Sequence, residues 1–215
     1  MMLYNLHTHN FTNNPNALEV VNRYPYEEID VPYFSTGIHP WYIDEDRVEE
    51  HLEIMEQRLQ MDNCLALGEC GLDKRIEIPL EIQQPIFEKQ LLLARKYNKP
   101  VILHLVAAYQ ELIAIKNEMQ LDVPMVLHGF SKNIQLAEQL LDKGFYLSFG
   151  KYLLRNPELS GVLAEVPENR FFLETDTIEE SLDEVYEKAA TARSTDIENI
   201  KQIVSNNFKT VFKHG

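Results

Sequence analysis

The segment LALGE, residues 65–69, joins a short apolar run to a glycine and a carboxylate. A continuous apolar run of this kind predicts a strand that is buried on both faces, as in a parallel sheet. The carboxylate of Glu69 would then lie at the carboxyl end of that strand. Apolar runs of similar length recur along the chain, and longer stretches with helical spacing of apolar residues separate them. This alternation predicts βα units around a parallel sheet.

The same patterns predict the positions of the strands and helices. The predicted strands are residues 2–6, 33–37, 65–67, 101–103, 125–127, 146–149 and 171–173, with residues 17–21 as a candidate for one more. The predicted helices are residues 46–60, 81–97, 108–119, 133–143 and 197–212. Residues 11–31 are rich in Asn and Pro and show no helical pattern.

The length of the chain limits the architecture. A full barrel of eight βα pairs runs to about 250 residues, whereas this chain has 215. We therefore predict an α/β fold, an abbreviated and distorted TIM (β/α) barrel of seven to eight strands that lacks at least one early helix. No repeat, low-complexity tract or linker divides the sequence, which predicts a single domain over residues 1–215.

The charge balance restricts the partners. Lys and Arg total 20 against 34 Asp and Glu, and the formal net charge is -14. This excess of acid argues against a broad nucleic-acid-binding surface, because such a surface must neutralise many phosphates. Bound divalent cations could still supply positive charge locally. The sequence leaves the oligomeric state open.

Composition also bears on location. No apolar stretch approaches the roughly 20 residues that a membrane-spanning helix requires, so no membrane partner is predicted. The two cysteines, Cys64 and Cys70, are too few for a secreted disulfide framework and are not spaced like paired zinc ligands. We predict a cytoplasmic protein.

Histidines and carboxylates fall directly after the predicted strands. The residues in these positions are His7, His9, His39, Glu69, His104, His128 and Asp176. In a β/α barrel the carboxyl ends of the strands converge on the face where active sites lie. His7 and His9 are two residues apart, so in an extended segment both would point to the same side and could bind one metal ion.

Each of these residues also has an ordinary interpretation. A His-x-His pair is often two surface histidines, Glu69 could cap a helix, and Asp176 could pair with an arginine. The joint pattern favours metal binding, because acids and imidazoles gathered at one face would repel one another or lack partners without a cation. Trp41 could stack on a base or sugar, or could simply pack at the rim. His51 lies in the charged stretch EEHLE and is expected to be solvated.

Several segments together resemble the TatD-type metal-dependent hydrolases of the amidohydrolase-like superfamily. They occur in family order over nearly the whole chain and are HTH at 7–9, GIHPW at 37–41, GECGLD at 68–73, residues 83–94, 100–104 and 207–212, LHGF at 127–130 and LETD at 173–176.

The resemblance implies residue roles and an activity. One metal would be held by His7, His9, Glu69 and Asp176. A second would be held by Glu69, His104 and His128, with Glu69 bridging, while His39 would line the substrate pocket. Members of this family are commonly described as DNases, so the implied function is hydrolysis of phosphodiester bonds by metal-activated water.

Mechanism and metal identity follow from residue types. Asp176 is the predicted general base, because a carboxylate beside a metal can both hold a water and accept its proton. Imidazole ligands suit zinc, manganese or iron, and carboxylates also admit magnesium. We therefore expect one or two divalent ions, with zinc, manganese and magnesium as the candidates to test.

Two departures from the family pattern leave the substrate open. Val106 stands where the family often has a basic residue, two places after His104, and Thr177-Ile178 replace a usual proline. The leading hypothesis is cleavage of DNA ends. The alternatives are hydrolysis of a small ester, amide or phosphoester, and a catalytically silent metal-binding scaffold.

Overall fold

The computed structural model describes residues 1–214 and contains eight β-strands. They are β1 (Leu3–Thr8), β2 (Ala17–Asn22), β3 (Phe34–Thr36), β4 (Cys64–Asp73), β5 (Val101–Val106), β6 (Met125–Leu127), β7 (Tyr146–Phe149) and β8 (Phe171–Leu173). They follow one another in the order β1 to β8, and the pairs β1–β2, β3–β4, β4–β5, β6–β7 and β7–β8 are parallel. Sequential parallel strands are the strand order of a β/α barrel, so the predicted fold class is confirmed.

The number and position of the helices explain why the chain is shorter than a full barrel. They are α1 (Val48–Leu59), α2 (Leu80–Tyr97), α3 (Tyr109–Glu118), α4 (Ile134–Asp142), α5 (Lys151–Arg155), α6 (Glu158–Glu165), α7 (Leu182–Ala192) and α8 (Ile197–Phe212). Within the described part of the chain, no helix connects β1 to β2 or β2 to β3. The early excursions are therefore reduced to loops, as predicted.

The chain divides into two compact units, and the single-domain assignment stays a prediction. The first unit comprises residues 1–21 and the chain from residue 126 onward. Tyr186 of α7 ties this unit together, because its hydroxyl donates to the Tyr4 carbonyl at 2.9 Å and accepts from the Tyr4 amide at 3.0 Å. The ring of Phe208 in α8 packs against the Tyr4 ring of β1, with 4.7 Å between the ring centroids.

The second unit comprises residues 22–125. Two buried glutamines of α2 bind the backbone of the segments that carry candidate site residues. The Gln90 amide accepts from the Ile38 N–H at 2.8 Å and donates to the Ile38 carbonyl at 3.2 Å. Gln83 makes the corresponding pair of bonds to Asp73, both 2.8 Å. Helix α2 thereby fixes the backbone beside His39 and at the end of β4.

Strand β4 is much longer than predicted, because two glycines let it run close against β5. Gly68 and Gly71 have φ values of +135° and +148°, which side chains rarely adopt. A Cβ on Gly71 would lie 2.0 Å from the His104 carbonyl oxygen. The sequence predicted that this strand ends before Gly68. In the structure, Gly68 and Gly71 instead let the backbones of β4 and β5 approach closely, and β4 continues to Asp73.

Replacing Gly71 by Ala is expected to lower the free energy of unfolding by about 2 to 5 kcal/mol, through backbone strain and overpacking against β5. Denaturant titration measures the change. Gly161 in α6 has open space at its Cβ position and serves as the control. Gly161→Ala should raise stability by about 0.5 to 1 kcal/mol. Equal effects of the two substitutions would contradict the close approach of β4 and β5.

The prediction that His51 is solvated is wrong. His51 is 3% exposed in α1, and its ring lies 5.9 Å from the ring of Tyr26. The charged neighbours in the sequence face outward while the helical turn directs the imidazole inward. Burial lowers the pKa of His51.

Within residues 1–214, no helix is long and apolar enough to cross a membrane.

Candidate functional site

The first cluster of candidate ligands lies in the first unit, where β1 ends beside Asp176. The Asp176 N–H donates to the His7 carbonyl, and the His9 N–H donates to the Asp176 carbonyl, both at 3.0 Å. These bonds hold Asp176 at a φ of 56°, a left-handed conformation that Asp tolerates better than most residues. Its Oδ1 lies 3.8 Å from His7 Nε2 and 3.7 Å from His9 Nε2.

His128 joins this cluster from the segment after β6. Its ring centroid lies 4.5 Å from that of His7, and ligand atoms of His7, His128 and Asp176 all lie within 4.8 Å of one another. Glu174, which is 1% exposed, contacts His128 Nδ1 at 3.3 Å and accepts from the Gly129 N–H at 2.7 Å. A carboxylate on one ring nitrogen fixes the imidazole and directs the other nitrogen toward the cluster.

Lys151, at the start of α5, places an ammonium group against Asp176. Its Nζ lies 2.7 Å from Asp176 Oδ2. Burial alone would raise the pKa of Asp176, but His7, His128 and Lys151 together hold that pKa below its usual value. Asp176 is therefore an ionised carboxylate, ready to hold a cation.

The second cluster lies in the second unit and contains His39, Glu69 and His104. Glu69 Oε1 lies 3.2 Å from His39 Nε2 and 3.0 Å from His104 Nδ1. Glu69 and His39 are 3% and 4% exposed. The Glu69 N–H donates to the Asn22 side chain at 2.7 Å, which orients the segment between Gly68 and Gly71.

Asp73 fixes His104 from the side opposite Glu69. Its Oδ2 lies 3.2 Å from His104 Nε2 and accepts from the indole N–H of Trp41 at 2.8 Å. Burial would raise the pKa of Asp73, but the bonds from Trp41, the Arg75 backbone and His104 lower it. The ionised Asp73 therefore helps to fix the orientation of the His104 ring, whose other nitrogen faces Glu69.

Asp73→Asn is expected to weaken divalent-metal affinity by about 10- to 100-fold, because the imidazole loses the charged partner that orients it. Titration of metal-depleted protein against a competing chelator measures the change. Asp62→Asn is the control, since Asp62 is exposed at a turn of the same unit. Unchanged affinity in a folded Asp73→Asn protein would show that Asp73 does not support a ligand.

Both clusters fit a divalent metal by the chemistry of their donors. Each combines two imidazoles with one carboxylate, a donor set suited to zinc or manganese. In each cluster a second carboxylate outside the triple holds one histidine ring, as is usual for metal-ligating histidines. His7, His128 and Asp176 would hold one ion, and His39, Glu69 and His104 would hold another.

This arrangement bears on each residue predicted from the sequence. His7, His9, His128 and Asp176 come together in one unit, and Glu69 and His104 in the other. His39, expected to line a substrate pocket, lies against Glu69 among the candidate ligands. The ligand roles and the roles of Asp176 as base and of Glu69 as bridge stay predictions.

Three supporting residues were missed. Asp73 ended the quoted segment GECGLD, and Glu174 lies two residues before Asp176, where alternation could have indicated a shared side. Lys151 carries no sequence signal, because only tertiary structure brings it to Asp176.

Comparison with known proteins bears on the family of the chain. Residues 4–213 match the sequence model of the family described as TatD related DNase. The uncharacterized metal-dependent hydrolase YabD of Bacillus subtilis is 33% identical over 155 residues, which cover 70% of this chain and 60% of that protein. The 3'-5' ssDNA/RNA exonuclease TatD of Edwardsiella piscicida is 29% identical, over 95% of this chain and 85% of that protein.

Solved structures show the same fold. The TatD homologue YjjV of Escherichia coli has a TM-score of 0.74 and 27% identity, with 85% of this chain and 77% of that chain covered. A TatD family hydrolase from Entamoeba histolytica has a TM-score of 0.78 over 98% of both chains, and its 15% identity bears on the fold alone. The family model spans nearly the whole sequence, and the chain therefore belongs to the TatD related DNase family of metal-dependent hydrolases.

Proposed function

We propose that this protein hydrolyses phosphodiester bonds at the ends of DNA strands, with one or two divalent ions as cofactor. The observation that carries the proposal is the pair of histidine and carboxylate triples, each braced by a further carboxylate. The similarity to the Edwardsiella exonuclease, which extends over 95% of this chain, supports a nucleic-acid substrate.

The residues of the two clusters have two proposed roles, which are to bind the metal ions and to accept a proton. When bound, a divalent ion supplies positive charge that stabilises phosphoryl oxygens and makes nearby water more acidic. Asp176, ionised and 8% exposed, accepts the proton of the attacking water. His39, buried next to Glu69, helps Glu69 and His104 to hold an ion. Lys151 adds a fixed positive charge beside Asp176, where an anionic phosphate would arrive.

Charge favours strand ends as the substrate. With a net charge of -14, the protein offers few contacts to hold a long duplex, so binding depends on the few groups near the clusters. An unstacked end brings one phosphodiester to those groups without the rest of the duplex. We therefore propose weak, salt-sensitive cleavage of single-stranded or frayed ends. We also propose a cytoplasmic location, because the two cysteines are too few for a secreted disulfide framework.

The test is nucleotide release from end-labelled oligonucleotides. Single-stranded, frayed and blunt duplex substrates are compared with magnesium, manganese and zinc in turn. We expect metal-dependent release that is fastest from single strands and falls as salt rises. Release that persists after chelation would identify a contaminant and overturn the proposal, whereas equal release by wild type and Asp176→Asn would refute the role of Asp176 as base.

A second candidate is hydrolysis of a small ester, amide or phosphoester. The observation that favours it is Val106, which pairs with Asp73 in the register of β4 and β5. Val106 is an apolar residue at a position where the resemblance led us to expect a basic residue. Metal-dependent turnover of small diesters or amides, with no turnover of any oligonucleotide, would favour this candidate. If every substrate fails in metal-loaded protein, the silent scaffold remains.

A further inference from the structure

In the second unit, the rings of Tyr24, Tyr26 and Tyr42 form one group, which the His39 ring connects to Trp41. We name Tyr24, Tyr26, Trp41 and Tyr42 the aromatic rim. Tyr26 and Trp41 are each 52% exposed, and Tyr42 is 47% exposed. The Tyr24 and Tyr26 rings are stacked with centroids 5.6 Å apart, and Tyr42 meets Tyr24 edge-on at 5.2 Å. Single exposed aromatic residues are ordinary, whereas a contiguous exposed group is typical of a binding site.

The aromatic rim continues directly into the second cluster of candidate ligands. The His39 ring lies 5.2 Å from Trp41 and 5.5 Å from Tyr42, between centroids. The Trp41 ring lies 5.6 Å from His104. A ligand that stacks on Trp41 would therefore lie close to His39 and His104, which are two of the candidate metal ligands.

A hydrogen bond anchors the indole of Trp41 although half of its surface is exposed. Its indole N–H donates to Asp73 Oδ2 at 2.8 Å, and the same oxygen contacts His104. An aromatic ring that is already immobilised loses little conformational freedom when a ligand stacks on it. The hydrogen bond thus prepares an exposed ring for binding.

Planar rings are the ligands that suit such a surface. Every nucleobase has a π-face, and stacking on protein aromatic rings is how many proteins bind single-stranded nucleic acid without reading its sequence. A net charge of -14 limits phosphate contacts, so stacking has to supply more of the affinity.

We propose that the aromatic rim is the subsite for a nucleobase at the strand end, so that stacking positions the substrate beside His39, Glu69 and His104. This inference rests on the proposed function and names how its substrate is recognised. It also implies that recognition tolerates any base.

The experiment uses the fact that Trp41 is the only tryptophan of the chain, so tryptophan fluorescence reports on the rim alone. Full-length protein is titrated with a short single-stranded oligonucleotide that carries nuclease-resistant phosphorothioate linkages. A second oligonucleotide has the same length and charge but abasic terminal nucleotides. We expect quenching and about tenfold or tighter binding for the oligonucleotide with terminal bases. Equal affinity without quenching would overturn the proposal.

Variants separate stacking from general effects. Tyr26→Ala and Tyr42→Ala should each weaken binding by about fivefold or more. Leu92→Ala is the control, because it removes an apolar side chain of α2 that is 45% exposed. It should leave binding unchanged. Thermal unfolding verifies that each variant is folded. If Leu92→Ala weakens binding as much as the rim variants, the rim has no specific role.

The outcome can be read apart from that of the proposed function. Base-dependent quenching without hydrolysis of any DNA would support the rim and refute the DNase proposal. Equal cleavage of normal and abasic ends would support the DNase and refute the rim. Quenching by a small aromatic ester alone, with none by oligonucleotides, would refute the assignment to a nucleobase.

Discussion

Asp176→Asn is expected to slow metal-dependent hydrolysis by on the order of a hundredfold or more, because it removes the proposed proton acceptor. Asn keeps the size of the side chain and also tolerates the positive φ of 56° at this position. The backbone bonds to His7 and His9 can therefore persist. The rate of nucleotide release under single-turnover conditions, at saturating metal, measures the effect.

Glu179→Gln is the matched control for this substitution. Glu179 is exposed three residues further along the same segment, and neutralising it removes one negative charge without touching the cluster. Its rate should stay within about twofold of wild type. If the two variants are equally active, Asp176 is not the base, even if it holds a metal.

Glu69→Gln should lower divalent-metal affinity by at least about a hundredfold, more than the loss of a supporting residue costs. The carboxylate contacts both His39 and His104, so its charge is central to the second cluster. Titration of metal-depleted protein against a competing chelator measures the affinity. Elemental analysis of protein purified with ample zinc and manganese gives the number of bound ions. If Glu69 also bridges two ions, as the resemblance implies, both ions should be lost.

Glu88→Gln provides the comparison for Glu69→Gln. Glu88 lies on α2, accepts a hydrogen bond from Gln84 and belongs to neither cluster. Loss of one ion alone in Glu69→Gln protein would contradict bridging. Full metal content in that variant would refute the ligand role of Glu69.

Local signals in the sequence predicted those parts of the fold that local interactions determine. Helices α4 and α8 lie within a residue of their predicted bounds, and Asn133 and Asp196, residue types that favour this position, cap their first turns. Helices α5, α6 and α7 were not among the predicted helices. Helices α5 and α6 are short, and α6 contains Gly161, so tertiary packing rather than propensity stabilises these two.

The candidate ligands were predictable because each follows an apolar run. The residues that brace them were not, because a carboxylate such as Asp73 or Glu174 is recognised only by what it contacts. The length of β4 was missed for a similar reason, since Gly68 and Gly71 read as a strand end when the neighbouring strand is unknown.

The contact between Lys151 and Asp176 bears on how the protein matures. The ammonium neutralises the carboxylate of the first cluster at a distance of 2.7 Å, so this cluster can assemble without a metal to balance its charge. We therefore expect the fold not to depend on bound metal, and Asp176 Oδ1, which faces His7 and His9, stays available to an ion while Oδ2 contacts Lys151. Chelation should accordingly strip the ion reversibly and leave the native fold in place, in contrast to small zinc domains that unfold when their metal is removed.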